Sequence, residues 1–208
     1  MKTLNKEMQD KISPNMAVKL LKDGNQRFIN NLKMNRNLLQ QMNDTSEGQH
    51  PFAVIISCMD SRTSAELVFD QGLGDIFSIR IAGNVINEDI LGSAEFGCKV
   101  IGAKVIVVLG HSSCGAIKGA VQDVDLGHLH FITHKIQRCI PLLKKQLPSA
   151  SDDELCSHVT KENISLGVQD LNSRSSILEE MSYKGEIIII GALYDVSTGA
   201  VEFFETEP

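Results

Sequence analysis

Four short apolar runs constrain this chain more than any other feature: FAVIIS (52–57), DIFSIRI (75–81), KVIVVLG (104–110) and EIIIIGALY (186–194). Each is rich in β-branched residues, and the apolar character is nearly continuous instead of alternating. Strands covered on both faces read this way. The stretches between them, roughly 63–70, 88–102, 115–122 and 128–146, carry helical spacing. Strand–helix alternation predicts an α/β fold with a mostly parallel central sheet of four strands and helices on both faces. AVEFFE (200–205) reads as an added antiparallel edge strand. Ser151 and Glu154 form a capping box opening a long helix, and SRSSILEEMSYKG (173–185) a shorter one ending at Gly185. GLGD (72–75) precedes a strand and opens no helix, so it is a turn and not a dinucleotide fingerprint.

The chain divides into an N-terminal helical arm and loop, 1–50, and an α/β body, 51–208, within a single domain overall. Ser13-Pro14 starts a helix, and Ala17, Leu20, Leu21, Phe28 and Leu32 follow at helical spacing. Residues 33–50 are polar and poorly periodic, and read as a loop. An arm of this kind must bury its stripe on the body or on a second subunit. With 20 basic against 26 acidic residues the net charge is −6, which argues against a broad nucleic-acid surface. MKTLNKEMQD is too polar for a signal peptide, and EIIIIGALYDV is far short of a membrane span. A soluble, cytoplasmic protein with no membrane or nucleic-acid partner is expected. There, Cys58, Cys98, Cys114, Cys139 and Cys156 are core residues, catalytic groups or metal ligands.

Chemistry concentrates where two apolar runs stop. Cys58 ends the first run, in IISCMDSR, while His111 and Cys114 end the third, in VVLGHSSCGAIKGA. In a parallel sheet all carboxyl ends share one edge, and ligands bind where the strand order reverses. Two cysteines and a histidine suit zinc, with a fourth position left open. Taken alone, a cysteine at a strand end is more often a small core residue, and HxxC is a weak pattern. Asp60 and Arg62 strengthen the set, since alternation along an extended segment would aim Cys58, Asp60 and Arg62 to one side.

CMDSR with HSSC downstream resembles the β-class carbonic anhydrases, whose pattern is Cys-x-Asp-x-Arg followed by His-x-x-Cys. SPNMAVKLLKDGNQRF, GDIFSIRIAGNV, TKENISLGVQDL and GALYDVSTGAVEF extend the likeness over almost the whole chain. The resemblance implies zinc on Cys58, His111 and Cys114, and reversible hydration of carbon dioxide to bicarbonate and a proton by zinc-bound hydroxide. Asp60 would orient that hydroxide, and Arg62 would hold Asp60 off the metal. It also implies that Gln49 and the Gly115 N–H donate to substrate, and that Phe77, Phe96 and Ala82 line an apolar cleft. Read as ordinary core aromatics, Phe77 and Phe96 need no such role. In the family the cleft lies at a dimer interface embraced by the N-terminal helix, so the expected partner is a second copy, in a dimer or tetramer. The family's bicarbonate-inhibited members use a tryptophan that this chain lacks, so the open-site type is expected.

His128, His130 and His134, in GHLHFITHKI, offer imidazoles one helical turn apart but no intervening acid as in HExxH. They read as a helix surface or an interface. Rival functions are a zinc hydrolase of carbon disulfide or carbonyl sulfide on the same scaffold, and a non-catalytic zinc-stabilised binding or redox-sensing protein. Asp60, Arg62 and Gln49 argue against the second, because a structural zinc needs none of them.

Overall fold

The computed structural model describes residues 3–204. Its centre is a five-stranded sheet of β1 (Ala53–Ser57), β2 (Ile76–Arg80), β3 (Val105–His111), β4 (Ile188–Tyr194) and β5 (Val201–Phe203), ordered β2-β1-β3-β4-β5. The first four are parallel and β5 is antiparallel to β4, as the apolar runs predict; Glu205 of the expected edge strand lies outside the described residues. Every residue of β1 and β3 is buried.

Alternate residues of each strand face opposite cores. Ile55, Val105, Val107 and Ala192 pack with the helices α2 (Pro14–Ile29) and α4 (Ala65–Val68), which supply Ala17, Leu21 and Val68. Val54, Ile56, Ile106 and Val108 pack on the other face against α5 (Glu88–Glu95), α9 (Asp152–Arg174) and α10 (Ser176–Tyr183). A third apolar cluster sits beyond the strands' carboxyl ends. There α6 (Gly115–Val121), α7 (His130–Gln137) and α8 (Ile140–Gln146) gather Ile117, Ile136 and Leu143 around Cys58 and Cys114. Burying a branched aliphatic side chain stabilises by about 1.5–3 kcal/mol, so this cluster is a core in its own right.

Several elements differ from expectation. Residues 33–50 contain a helix, α3 (Leu38–Asp44), capped by Asn37 accepting from the Gln40 N–H, and within the arm a short α1 (Lys6–Asp10) precedes α2. The stretch 128–146 is not one helix. It breaks at Arg138–Cys139, because Pro141 in the first turn of α8 cannot donate to a preceding turn and its ring would strike the carbonyl there. After Glu95 the α5 helix widens into a π-helical turn, Phe96–Ile101, which ends at left-handed Gly102. The helix read over 63–70 is only the single turn of α4. The capping box of α9 is present in both directions. Among the described residues no helix is long and apolar enough to cross a membrane.

The arm helix α2 lies on its own body. Gly24 crosses so close that a Cβ there would stand 1.8 Å from the Phe69 carbonyl oxygen. Buried Asn25 donates to the carbonyls of Val68 and Gly199 and accepts from the Val201 N–H. Asp70, buried after α4, accepts from Arg27 and Arg36.

Candidate metal centre

The strand order reverses between β1 and β3, and the chain leaves the sheet there with Cys58 on one side and His111 and Cys114 on the other. Turning back after His111 requires a left-handed Ser113, φ 58°, a conformation that is costly for a side chain other than glycine. Cys114 then stands immediately before the first residue of α6, in extended backbone. The result is a buried group in which one ligand atom from each of Cys58, His111 and Cys114 lies within 4.8 Å of the others. Among the described residues it is the one such group.

Each ligand is oriented by backbone. His111 Nδ1 is 2.9 Å from the Ser112 carbonyl oxygen, to which it donates, so the Nε2 lone pair faces inward. That Nε2 is buried and has no hydrogen-bond partner. Ser112 is itself fixed, its N–H donating to Tyr194 and its hydroxyl accepting from the Val196 N–H. The two sulfurs are 3.9 Å apart, and the Gly83 N–H points at Cys58 Sγ from 3.4 Å. The Cys58 thiol is held down to about 4, first by the hydrogen bond from Cys114, against burial, with further help from His111 and the backbone N–H groups of Asp60 and Gly83. Cys114 is pushed up by the same shared proton and by burial. The hydrogen bond between the sulfurs thus favours thiolate character at Cys58 and disfavours it at Cys114. A lone pair without a donor beside two sulfurs fits a borderline-soft divalent metal such as zinc.

Asp60 and Arg62 stand beside this group. Arg62 Nε and Nη2 donate to the two Asp60 carboxylate oxygens at 3.0 and 2.8 Å, and Nη2 also reaches the Ser113 carbonyl between His111 and Cys114. The segment is a turn, not the extended strand that alternation assumes: the Arg62 N–H donates to Asp60 Oδ1, and the Thr63 N–H to the Asp60 carbonyl. The guanidinium holds the Asp60 carboxyl well below the usual carboxylate range. Arg80, at the end of β2, donates to the carbonyls of Cys58 and Asp60 and clamps the turn from below.

A cleft of about 520 Å³ beside Cys114 is lined by Ser112, Gly115, Thr160 and Leu193 among others. Ala82 opens the turn containing Gly83. Phe77 and Phe96 meet with ring centroids 6.5 Å apart in a separate cavity of about 540 Å³, which shares no lining residue with the cleft at Cys114. Gln49 is exposed, between α3 and β1. His130 and His134 face one another across the α7 surface, with His130 Nδ1 hydrogen-bonded to the Gly127 carbonyl, and belong to no three-ligand group among the described residues. Burial pushes the Cys98 and Cys139 thiols up to about 12 and about 11, as expected of core cysteines. Gly83, Ser112 and Arg80 were not singled out by sequence. The glycine in RIAGNV was the available sign; Ser112 acts on His111 through its backbone carbonyl, and Arg80 reaches backbone carbonyls that no residue type marks.

The sequence profile of the carbonic anhydrase family matches residues 53–201. The carbonic anhydrase of Mycolicibacterium smegmatis is 36% identical over 196 residues, covering 91% of this chain and 93% of that protein. Carbonic anhydrase 2 of Mycobacterium tuberculosis is 36% identical over 192 residues, covering 90% and 91%. Among solved structures, the β-carbonic anhydrase CafA of Aspergillus fumigatus superposes with a TM-score of 0.74 at 28% identity, over 82% of this chain and 83% of that one. With the five-stranded sheet and the Cys-His-Cys group at its switch point, these likenesses lead to one conclusion: the chain belongs to the β-class carbonic anhydrases.

Proposed function

We propose that the chain is an open-site zinc enzyme that hydrates carbon dioxide to bicarbonate and a proton, with Cys58, His111 and Cys114 as the protein ligands. The observation that carries this is the buried, partnerless His111 Nε2 beside two closely spaced sulfurs. When bound, zinc supplies Lewis acidity that brings a water's pKa to about 7, the known value for carbonic anhydrases.

The chain's own groups do the rest. The Asp60 carboxylate accepts a proton-bearing oxygen's hydrogen bond and so turns that oxygen's lone pair toward the carbon. Arg62 keeps both Asp60 oxygens occupied, which supports the open form in which Asp60 is not itself a ligand. The Gly115 N–H, at the start of α6, would be a donor for a developing oxyanion. Phe77, Phe96 and Ala82 would form an apolar approach for carbon dioxide, and Gln49 a donor to it, once a second copy closes the site into a dimer or tetramer. Exposed Phe96, whose ring meets Phe77 of the edge strand β2, supports such an assembly. Five free cysteines support a reducing, cytoplasmic setting.

The test is metal content with stopped-flow carbon dioxide hydration. About one zinc per chain is expected, and Cys58→Ser or His111→Ala should lose both metal and activity. His130→Ala with His134→Ala should keep both. Full zinc in Cys58→Ser would overturn the assignment.

A further inference from the structure

We propose that Asn163, on α9, is a positioning residue of the metal centre, fixing Gly83 so that its N–H stays aimed at Cys58 Sγ. The inference rests on the reading of Cys58 as a metal ligand. Asn163 is buried, and its Nδ2 donates to the Gly83 carbonyl oxygen at 2.9 Å. The same glycine donates its N–H to Cys58 Sγ at 3.4 Å. One residue therefore joins the long helix to the sulfur, with its carbonyl gripped on one side and its N–H committed on the other.

The turn needs such a grip. Gly83 and Asn84 are both left-handed, φ 65° and 44°, and two successive residues in that region are held only by what surrounds them. The glycine cannot be replaced to stiffen it, since a Cβ would stand 2.8 Å from Ile136 Cδ1 and 3.2 Å from Ala116 Cβ. The carbonyl of Gly83 would be a buried acceptor without Asn163, and an unpaired buried acceptor drives rearrangement. Any rotation that found it another donor would swing the N–H off the sulfur. The sulfur lies in an apolar surround of Val85, Ile117 and Ile136, where a donor to a thiolate counts most. Outer contacts of this kind typically change metal affinity 10–100-fold when removed.

The alternative is that Asn163 merely ties α9 to the turn, and thermal stability alone does not separate the two. The experiment uses the full chain loaded with zinc or cobalt(II). It compares wild type, Asn163→Leu, Asn163→Ala and a control, Asn172→Leu, which removes an α9 amide that donates only within its helix, to Val168. The readouts are zinc release to excess chelator and the thiolate-to-cobalt charge-transfer band. Both Asn163 variants should release zinc about tenfold faster or more, with the band moved to lower energy because the sulfur has lost a donor. The control should move only the melting temperature. The alanine variant carries the test if leucine is not accommodated. Unchanged release and an unchanged band in Asn163 variants that bind metal would overturn this inference alone. A wild-type chain that takes up neither metal would overturn the metal reading and this inference with it.

Discussion

Asp60 and Arg62 form a two-pronged pair that is partly open to water, with side-chain exposures of 19% and 51%. Ion pairs in such settings contribute about 0–1 kcal/mol, so the pair's geometry serves something other than stability. Arg62→Ala should therefore leave the urea midpoint nearly unchanged and keep one metal per chain, while hydration activity falls about 100-fold or more as Asp60 is freed to move onto the metal. Near wild-type activity in that variant would reduce the pair to a surface salt bridge. Arg62→Lys should recover only part of the loss, because an ammonium lacks the planar fork that engages both oxygens. Cys58, His111 and Cys114 were legible in the sequence because they stand where apolar runs stop, and strand ends are what a parallel sheet brings together. Gly83, Ser112 and Asn163 were not, since their contributions are a backbone N–H, a backbone carbonyl and an amide from a helix 80 positions away in the chain. Residue type does not say which way a peptide group points.

The strands were legible as short, nearly continuous apolar runs, and the long helix by the capping box that opens it. The helices α1 and α3 are too short to show an apolar period, and their only signals were the asparagines at positions 5 and 37. Where α2 meets α4, two substitutions test the packing. Gly24→Ala places a Cβ against the Phe69 backbone, which cannot rotate away, and should cost about 1–3 kcal/mol or more by urea unfolding. Asp70→Asn removes a buried charge partner of Arg27 and Arg36 and should cost about 3 kcal/mol. Burial alone would raise the Asp70 pKa, but the two arginines and the Met34 N–H outweigh it and hold it below its ordinary value. With a depressed folded pKa, its stabilisation is complete above the unfolded carboxylate value, about 3.9, and is lost as pH falls toward the lower folded value. The wild-type urea midpoint should drop across that window, and the Asp70→Asn midpoint should drop less.

The molecule as a whole has two cores on the faces of one sheet and a third across its carboxyl end, and among the described residues β2 is an outer strand paired only with β1. Val100, 68% exposed on the π-helical turn that begins at Phe96, tests whether another copy covers this surface. Val100→Asp should change the stability of one chain by less than about 0.5 kcal/mol, yet shift the mass seen by light scattering toward the monomer. An unchanged mass would place the interface elsewhere. The chain order of the strands has a kinetic consequence as well. Cys58 and Cys114 are 56 residues apart in sequence, on strands that become neighbours only after β2 has been laid to the outside. On the proposed reading, a refolding chain therefore holds two of the three candidate ligands, His111 with Cys114, until β3 closes on β1, a long-range pairing that comes late in a folding reaction. Metal captured after that closure can hold the molecule shut but cannot hasten its assembly. In stopped-flow refolding from urea, zinc should leave the folding limb of the chevron where it is and lower the unfolding limb.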